Sequence, residues 1–318
     1  AVAGLPYGGA KGGIAVDPTT LSHGELERLT RVFIQRLHDV LGPNVDIPGP
    51  DMGTNAAVMG WMADEYARYH GWTPGVVTGK PLDLGGSAGR AAATGRGLIL
   101  GAECLFEDER RKVADFTYAI QGFGNVGSWA ARLIHERGGR VTAVSDVTGG
   151  IRNSHGFNVP DLIDYCERNG TVQGFHEAEP FTGPDIIAEN VDVLIPAALG
   201  GAITRQNAHR VRARYILEGA NGPTEADADE VLSANGIVVL PDIFANAGGV
   251  TVSYFEWVQN LQNYYWDEER VNAELERSVR RAWQSLRATA NELACDLRTA
   301  AYVLAVRRVW QATVQRGG

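Results

Sequence analysis

Lys11 stands among four glycines in Pro6-Tyr7-Gly8-Gly9-Ala10-Lys11-Gly12-Gly13. The chain has 29 basic residues, and only Lys11, Lys80 and Lys112 are lysines. Where a fixed positive charge suffices, arginine is used. An ammonium can lose its proton when desolvated or crowded by other cations, whereas a guanidinium effectively cannot. Lys11 is therefore a candidate for proton chemistry or close substrate contact; the plainer reading is a salt-bridged lysine in a surface loop. Lys80, in Gly79-Lys80-Pro81, reads as a structural or loop residue. The turn-rich stretch from Asn44 to Asn55 carries Pro48, Pro50 and two acids. Asp46 reads as structural, and Asp51, shortly before a helical pattern, suits a helix N-cap.

A second set of residues points to phosphate. Gly122-Phe123-Gly124-Asn125-Val126-Gly127 follows the apolar run ending at Gln121 and opens a helical pattern through Trp129, Leu133 and Ile134. The glycines at 122, 124 and 127 allow a tight turn, close approach of a pyrophosphate, and packing of helix on strand. Amides at the helix N-terminus, through Asn125 and Val126, would meet the phosphate charge. Asp146, after the next strand, is placed to accept hydrogen bonds from an adenosine ribose. An acid there favours NAD over NADP, because it repels a 2′-phosphate. Asp146 is also a common turn residue type.

The elements that must hold these residues can be read from periodicity. Leu26, Leu29, Phe33, Leu37 and Leu41 form one helical stripe ended by Gly42-Pro43, and a second helix runs from about Asn55 to His70 with Gly71 as its C-cap. The glycines from Gly79 to Gly97 look like a hinge feeding a helix that reaches about Arg111. Short β-branched runs follow at Thr117–Gln121, Val141–Ser145, Val193–Pro196, Tyr215–Glu218 and Ile237–Leu240, separated by helical segments. Such alternation predicts an α/β protein with a doubly wound, Rossmann-type parallel sheet. From about Asp267 to Arg316 the pattern is helical.

Bulk properties exclude several classes. A formal charge of -9 argues against nucleic acid or anionic membrane as partner, and no apolar run approaches a membrane span. Cys104, Cys166 and Cys295 are few and far apart, which suits reduced thiols in a cytoplasmic protein. The seven histidines are scattered without ligand spacing, so no metal site is expected.

These segments together resemble the glutamate/leucine/phenylalanine/valine dehydrogenase family, and within it glutamate dehydrogenases, along the whole chain. The matching stretches are Leu5 to Gly13, Asp46-Ile47-Pro48-Gly49-Pro50-Asp51-Met52-Gly53-Thr54, Gly85 to Arg90 running on to Thr94-Gly95-Arg96-Gly97, and Gly122 to Gly127. Glu218 to Thr224 and Asn246 to Trp257 complete the set. The resemblance implies reversible, NAD- or NADP-dependent oxidative deamination of L-glutamate to 2-oxoglutarate and ammonia. It makes Lys11 and Asp51 catalytic, with the Lys11 pKa depressed by burial and nearby cations. Gly49 and Ser253 become substrate contacts, and Arg90, Thr94, Asn125, Asn221 and Asn246 become cofactor-side residues. A plainer role for Ser253 is a bond to a backbone carbonyl.

The resemblance also implies a homohexamer, and a segment before Ala1 that holds the substrate's carboxylates through further lysines, so that the chain looks N-terminally truncated. On this reading residues 1–78 form a partial α/β substrate domain completed by the C-terminal helices 283–318. Residues 79–282 form the dinucleotide-binding domain, with a cleft between the two. The alternatives are a related leucine, valine or phenylalanine dehydrogenase, or an impaired fragment that only binds nucleotide.

Overall fold

The computed structural model describes residues 1–317, which divide into two compact units. Unit 1 comprises Ala1–Gly4, Ala92–Gly248 and the chain from Glu276 onward; unit 2 comprises Leu5–Ala91 and Gly249–Leu275.

All assigned strands lie in unit 1: β1 (Thr117–Gln121), β2 (Arg140–Asp146), β3 (Gly149–Arg152), β4 (Glu179–Phe181), β5 (Val193–Pro196), β6 (Tyr215–Leu217) and β7 (Val238–Leu240). They form one sheet in the order β4-β3-β2-β1-β5-β6-β7, with every pairing parallel except β2–β3 and β3–β4. The five parallel strands are the five apolar runs in the sequence. β5 and β6 are buried at every residue because helices cover both faces of a doubly wound sheet. Strand order reverses at β1, which pairs with β2 on one side and β5 on the other. A dinucleotide is bound at such a switch point, beyond the carboxyl ends of the strands.

The α-helices are α1 (His23–Leu37), α2 (Ala56–His70), α3 (Ala93–Asp108), α4 (Asn125–Glu136), α5 (Val159–Asn169), α6 (Ala226–Ala234), α7 (Asp242–Ala245), α8 (Gly248–Gln262), α9 (Glu268–Leu293) and α10 (Leu297–Gln315). Their ends follow local chemistry. Ser22 and Glu25 make a capping box on α1, and Asn55 Oδ1 accepts from the Val58 amide to cap α2. Gly71 takes a positive φ after α2, and Gly170 ends α5 in the left-handed region. In the expected hinge, a side chain at Gly86 would meet the Lys80 carbonyl at 2.1 Å; far along the chain, one at Gly248 would meet the Ala93 carbonyl at 2.2 Å. These glycines permit close backbone packing within their units.

In unit 2, α1 packs on α2 around Ile34, Val58, Met59, Met62 and Tyr66. Arg31 reaches Asp64 and the buried Glu65, Gln35 reaches Glu65, and His38 reaches His70. Contacts that advance along both helices together make them run the same way. Residues 38–55 must therefore return along the pair, and this return segment carries Asp51.

The two compact units divide the chain at other points than the domain limits expected from sequence. The helices at 283–318 belong with unit 1, where Arg287 pairs with Asp108 and Arg298 with Glu218 and Asp229. Residues 249–275 belong instead with unit 2, and so does the stretch 79–91. The buried polar groups of α8 explain this: Glu256, Gln259 and Asn260 find their partners at Gly79, Lys80, Gly85 and Ser87.

Candidate functional site

In unit 2, Lys11 Nζ donates to Asp51 Oδ2 across 40 positions of sequence. The second Asp51 oxygen accepts from the Met52 amide, and Thr54 closes the turn by bonding Asp51's own backbone. Asp51 does not cap α2, because Asn55 does. Its carboxylate is therefore committed to lysine and one local amide. The bonds from Lys11 and Met52 hold its pKa below the ordinary carboxylate range, against a smaller opposing effect of burial. The burial expected at Lys11 is not found: its side chain is 79% exposed and its partner is an anion. Gly49, three residues after Asp46 in the same return segment, is exposed, and Thr78 is anchored beside it on the Pro48 carbonyl.

Ser253, on α8, is buried, and its Oγ accepts from Arg90 Nε at 3.1 Å. Arg90, expected beside the nicotinamide, thus shares unit 2 and a hydrogen bond with the expected substrate contact. Burial lowers the Arg90 pKa, and nearby Glu256 opposes that shift. The segment leading to Lys11 is tied to the same helix through aromatic edges. Tyr7 lies 5.5 Å from Tyr254 and 5.9 Å from Trp257, ring centre to ring centre.

Sequence reasoning missed the residue that organises this helix. Glu256 is fully buried, and its Oε1 accepts from Lys80 Nζ at 2.6 Å while its Oε2 accepts from the Gly79 amide at 2.8 Å. Lys80 also donates to the Val77 carbonyl. The rarity of lysine in this chain was a signal for Lys80; nothing in the local pattern named Glu256 as its partner.

In unit 1, the three glycines of the fingerprint have different surroundings. A side chain at Gly127 would meet the Gly122 carbonyl at 1.9 Å, and one at Gly122 would meet Ala198 at 2.8 Å. At Gly124 an added carbon meets nothing within 4 Å, and this N-cap offers no side-chain acceptor to the first turn of α4. Two of the glycines thus allow protein to pack on protein, and the third leaves open the space a pyrophosphate would take. The residues present fit a dinucleotide. Val126 opens α4 beside Asn125, and Thr94 lies in the first turn of α3. Asn246 Nδ2 donates to Asn221 Oδ1 at 2.7 Å, bringing together two of the expected cofactor-side residues.

Asp146 serves the turn between β2 and β3. Oδ1 accepts from the Thr148 amide and hydroxyl, and Oδ2 accepts from the Val172 amide. Burial acts to raise its pKa, but these bonds outweigh burial and keep it below the usual range. The Gly149 amide adds a further bond, so the turn itself takes up most of the acceptor capacity of this carboxylate.

The histidines are not all isolated from one another. His38 Nδ1 lies 3.2 Å from His70 Nε2, and with Asp39 they form a group of three possible ligands. The parallel packing of α1 on α2 brings their C-terminal ends together, so distance in sequence hid the pair.

The family model described as Glutamate/Leucine/Phenylalanine/Valine dehydrogenase matches residues 85–317, and the Glu/Leu/Phe/Val dehydrogenase dimerisation domain matches residues 1–68. A glutamate dehydrogenase from Thermotoga maritima is 50% identical over 319 residues, covering 100% of this chain and 77% of that protein. The crystal structure of a hetero-hexameric glutamate dehydrogenase from Thermus thermophilus, in a Leu-bound form, superposes with a TM-score of 0.95 at 37% identity, covering 100% of this chain and 76% of that one. Glutamate dehydrogenase from Peptoniphilus asaccharolyticus gives a TM-score of 0.85 at 39% identity, covering 99% and 76%.

Proposed function

The chain belongs to the Glu/Leu/Phe/Val dehydrogenase family, and from that premise we propose that it catalyses the reversible, NAD(P)-dependent oxidative deamination of L-glutamate to 2-oxoglutarate and ammonia. The observation that carries this reading is the Lys11–Asp51 hydrogen bond, formed in the unit that also holds the Arg90–Ser253 pair.

A bound dinucleotide would supply the acceptor for the hydride that leaves the substrate's α-carbon. The residues of unit 2 do the proton work around that transfer. Asp51, ionised at neutral pH, takes a proton from the substrate's ammonium and returns one to the departing ammonia. Lys11, freed from Asp51 by the substrate, donates to the oxygen of the carbinolamine formed when water adds to the iminium carbon. Arg90 and Ser253 receive a carboxylate.

The dinucleotide is held by Gly122, Gly124, Asn125, Val126 and Gly127, with Thr94, Asn221 and Asn246 on the cofactor side. NAD is the preferred form: Asp146 is ionised, and the next two residues, Val147 and Thr148, supply no cation for a 2′-phosphate. Self-association into a homohexamer is supported by the exposed face of α10, where Tyr302, Val306, Val309, Trp310 and Val314 recur at helical spacing. Among the described residues no helix is long and apolar enough to cross a membrane. Three free cysteines support a cytoplasmic location.

The test is glutamate-dependent NADH and NADPH formation, with leucine, valine and phenylalanine as competitors. Turnover with glutamate, faster with NAD and abolished by Asp51→Asn, is the expected result. Preference for an apolar amino acid would overturn the substrate assignment, and dinucleotide binding without turnover would overturn the activity.

A further inference from the structure

We propose that His38, Asp39 and His70 form a binding site for a divalent transition metal of the zinc class, at the end of the α1–α2 pair in unit 2. His38 Nδ1 is 3.2 Å from His70 Nε2 and 3.1 Å from Asp39 Oδ1, and the three ligand atoms lie within 4.8 Å of one another. Ligands bound at about 2.0–2.1 Å around a tetrahedral zinc ion stand roughly 3.3 Å apart. The two separations from His38 are thus close to the edges of such a tetrahedron. Small adjustments would turn a histidine–histidine hydrogen bond into two metal bonds.

Both imidazoles are held in place by neighbouring rings. The His38 ring stacks on Tyr69 with centres 4.0 Å apart and planes 7° apart, and the His70 ring stacks on Tyr66 at 4.3 Å and 24°. Ligand rings fixed this way lose little further freedom when a metal arrives. The electrostatics also favour a cation. His38 caps the C-terminus of α1 and His70 is the last residue of α2, so the negative ends of two helix dipoles converge beside the Asp39 carboxylate.

Two imidazoles and one carboxylate select a borderline metal such as Zn²⁺ over Mg²⁺ or Ca²⁺, which take oxygen ligands. Water completes the fourth position. Binding needs both imidazoles neutral with a lone pair facing the metal, the ring proton of the donor histidine moving to its other nitrogen, so occupancy falls as pH is lowered. The bound ion would clamp together the ends of α1 and α2, the helices joined by the segment that carries Asp51.

The experiment uses the full chain, stripped with a chelator and titrated with Zn²⁺ against a chromophoric competitor. One ion per chain is expected, with affinity weakened at least about tenfold in His38→Gln and in His70→Gln. Asp39 is exposed, so Asp39→Ala removes a ligand without disturbing the core and should also weaken binding. Zn²⁺ should raise the thermal midpoint of the native chain and leave both histidine variants unmoved. Co²⁺ should give visible bands of nitrogen and oxygen ligation. Thiolate charge-transfer bands would place the metal on Cys104, Cys166 or Cys295 and overturn the proposal. Unchanged affinity in the two histidine variants would overturn it as well.

Discussion

Lys11 and Lys80 both donate to a carboxylate within unit 2, in opposite surroundings. The Lys11 and Asp51 side chains are 79% and 49% exposed, whereas Lys80 and Glu256 are both at 0%. The exposed pair has one bond between its partners, and solvent stands ready to replace either one. The buried pair is tied into backbone at Val77 and Gly79, so neither charge can leave without stranding the other. An exposed lysine can exchange its carboxylate for a substrate atom, and a buried one cannot. The same residue type thus serves reactivity in one place and, through Glu256 on α8, the placement of Ser253 in the other.

The largest effect should come from separating charge from proton chemistry at Lys11. Lys11→Arg keeps the cation beside Asp51 but removes a group able to give up its proton. It should lower kcat/KM for glutamate by roughly 10²–10⁴-fold. Dinucleotide affinity, measured by fluorescence titration, should stay within twofold or so, because the fingerprint residues belong to unit 1. A fully active Lys11→Arg enzyme would reduce Lys11 to a fixed charge and erase the contrast with Lys80.

At Lys80 the large effect should be on folding. Lys80→Met leaves Glu256 buried and unpaired, a change that costs about 3–5 kcal/mol in comparable sites. Burial already lowers the Lys80 pKa despite the opposing Glu256 charge, so the ammonium depends on its partner. The double variant Lys80→Met/Glu256→Leu removes both charges and should lose much less than the sum of the single changes. Denaturant midpoints of the four proteins decide the matter. Simple additivity would show that the two residues do not act as a pair.

Gly127 and Gly124 sharpen the comparison inside the fingerprint. Gly127→Ala drives a methyl against the Gly122 carbonyl and should destabilise unit 1 by about 1–3 kcal/mol, as other overpacked sites do. Gly124→Ala meets no protein atom and should leave the thermal midpoint nearly unchanged. It should still weaken dinucleotide binding by roughly tenfold, equivalent to about 1.4 kcal/mol. Equal effects of the two substitutions on stability would remove the distinction between packing and ligand space.

The parallel strands were legible because each is a short β-branched run buried on both faces. β3 and β4 were not: they have four and three residues, include Gly149, Gly150 and Pro180, and extend the sheet antiparallel at one edge. Proline is tolerated at such an edge, which removes the usual strand signal. Periodicity showed that the chain from about Asp267 to Arg316 is helical, but periodicity says nothing about which surface receives a helix. The allocation to units rests on single polar residues, the buried Glu256 on α8 and the half-buried Arg298 on α10, whose partners lie far away in sequence. At the candidate site, Asp51 and Asn55 are both capping residue types. Only the geometry shows that Asn55 takes that role and leaves Asp51 to Lys11.

The smallest expected effect tests whether the Lys11–Asp51 bond matters to folding at all. Asp51 has a folded pKa below its ordinary value, through Lys11 and the Met52 amide. Its contribution to stability is therefore fully present above the unfolded carboxylate's pKa of about 4 and is lost as pH falls through the depressed folded value. For a pair this exposed, the contribution should not exceed about 1 kcal/mol. Comparing Asp51→Asn with the native chain in urea should give a small gap at pH 7 that persists at pH 5 and closes only in stronger acid. A gap that opened as pH fell would reverse the sign of the linkage. A gap of several kcal/mol at neutral pH would make Lys11–Asp51 a structural pair like Lys80–Glu256, leaving neither lysine free to meet a substrate.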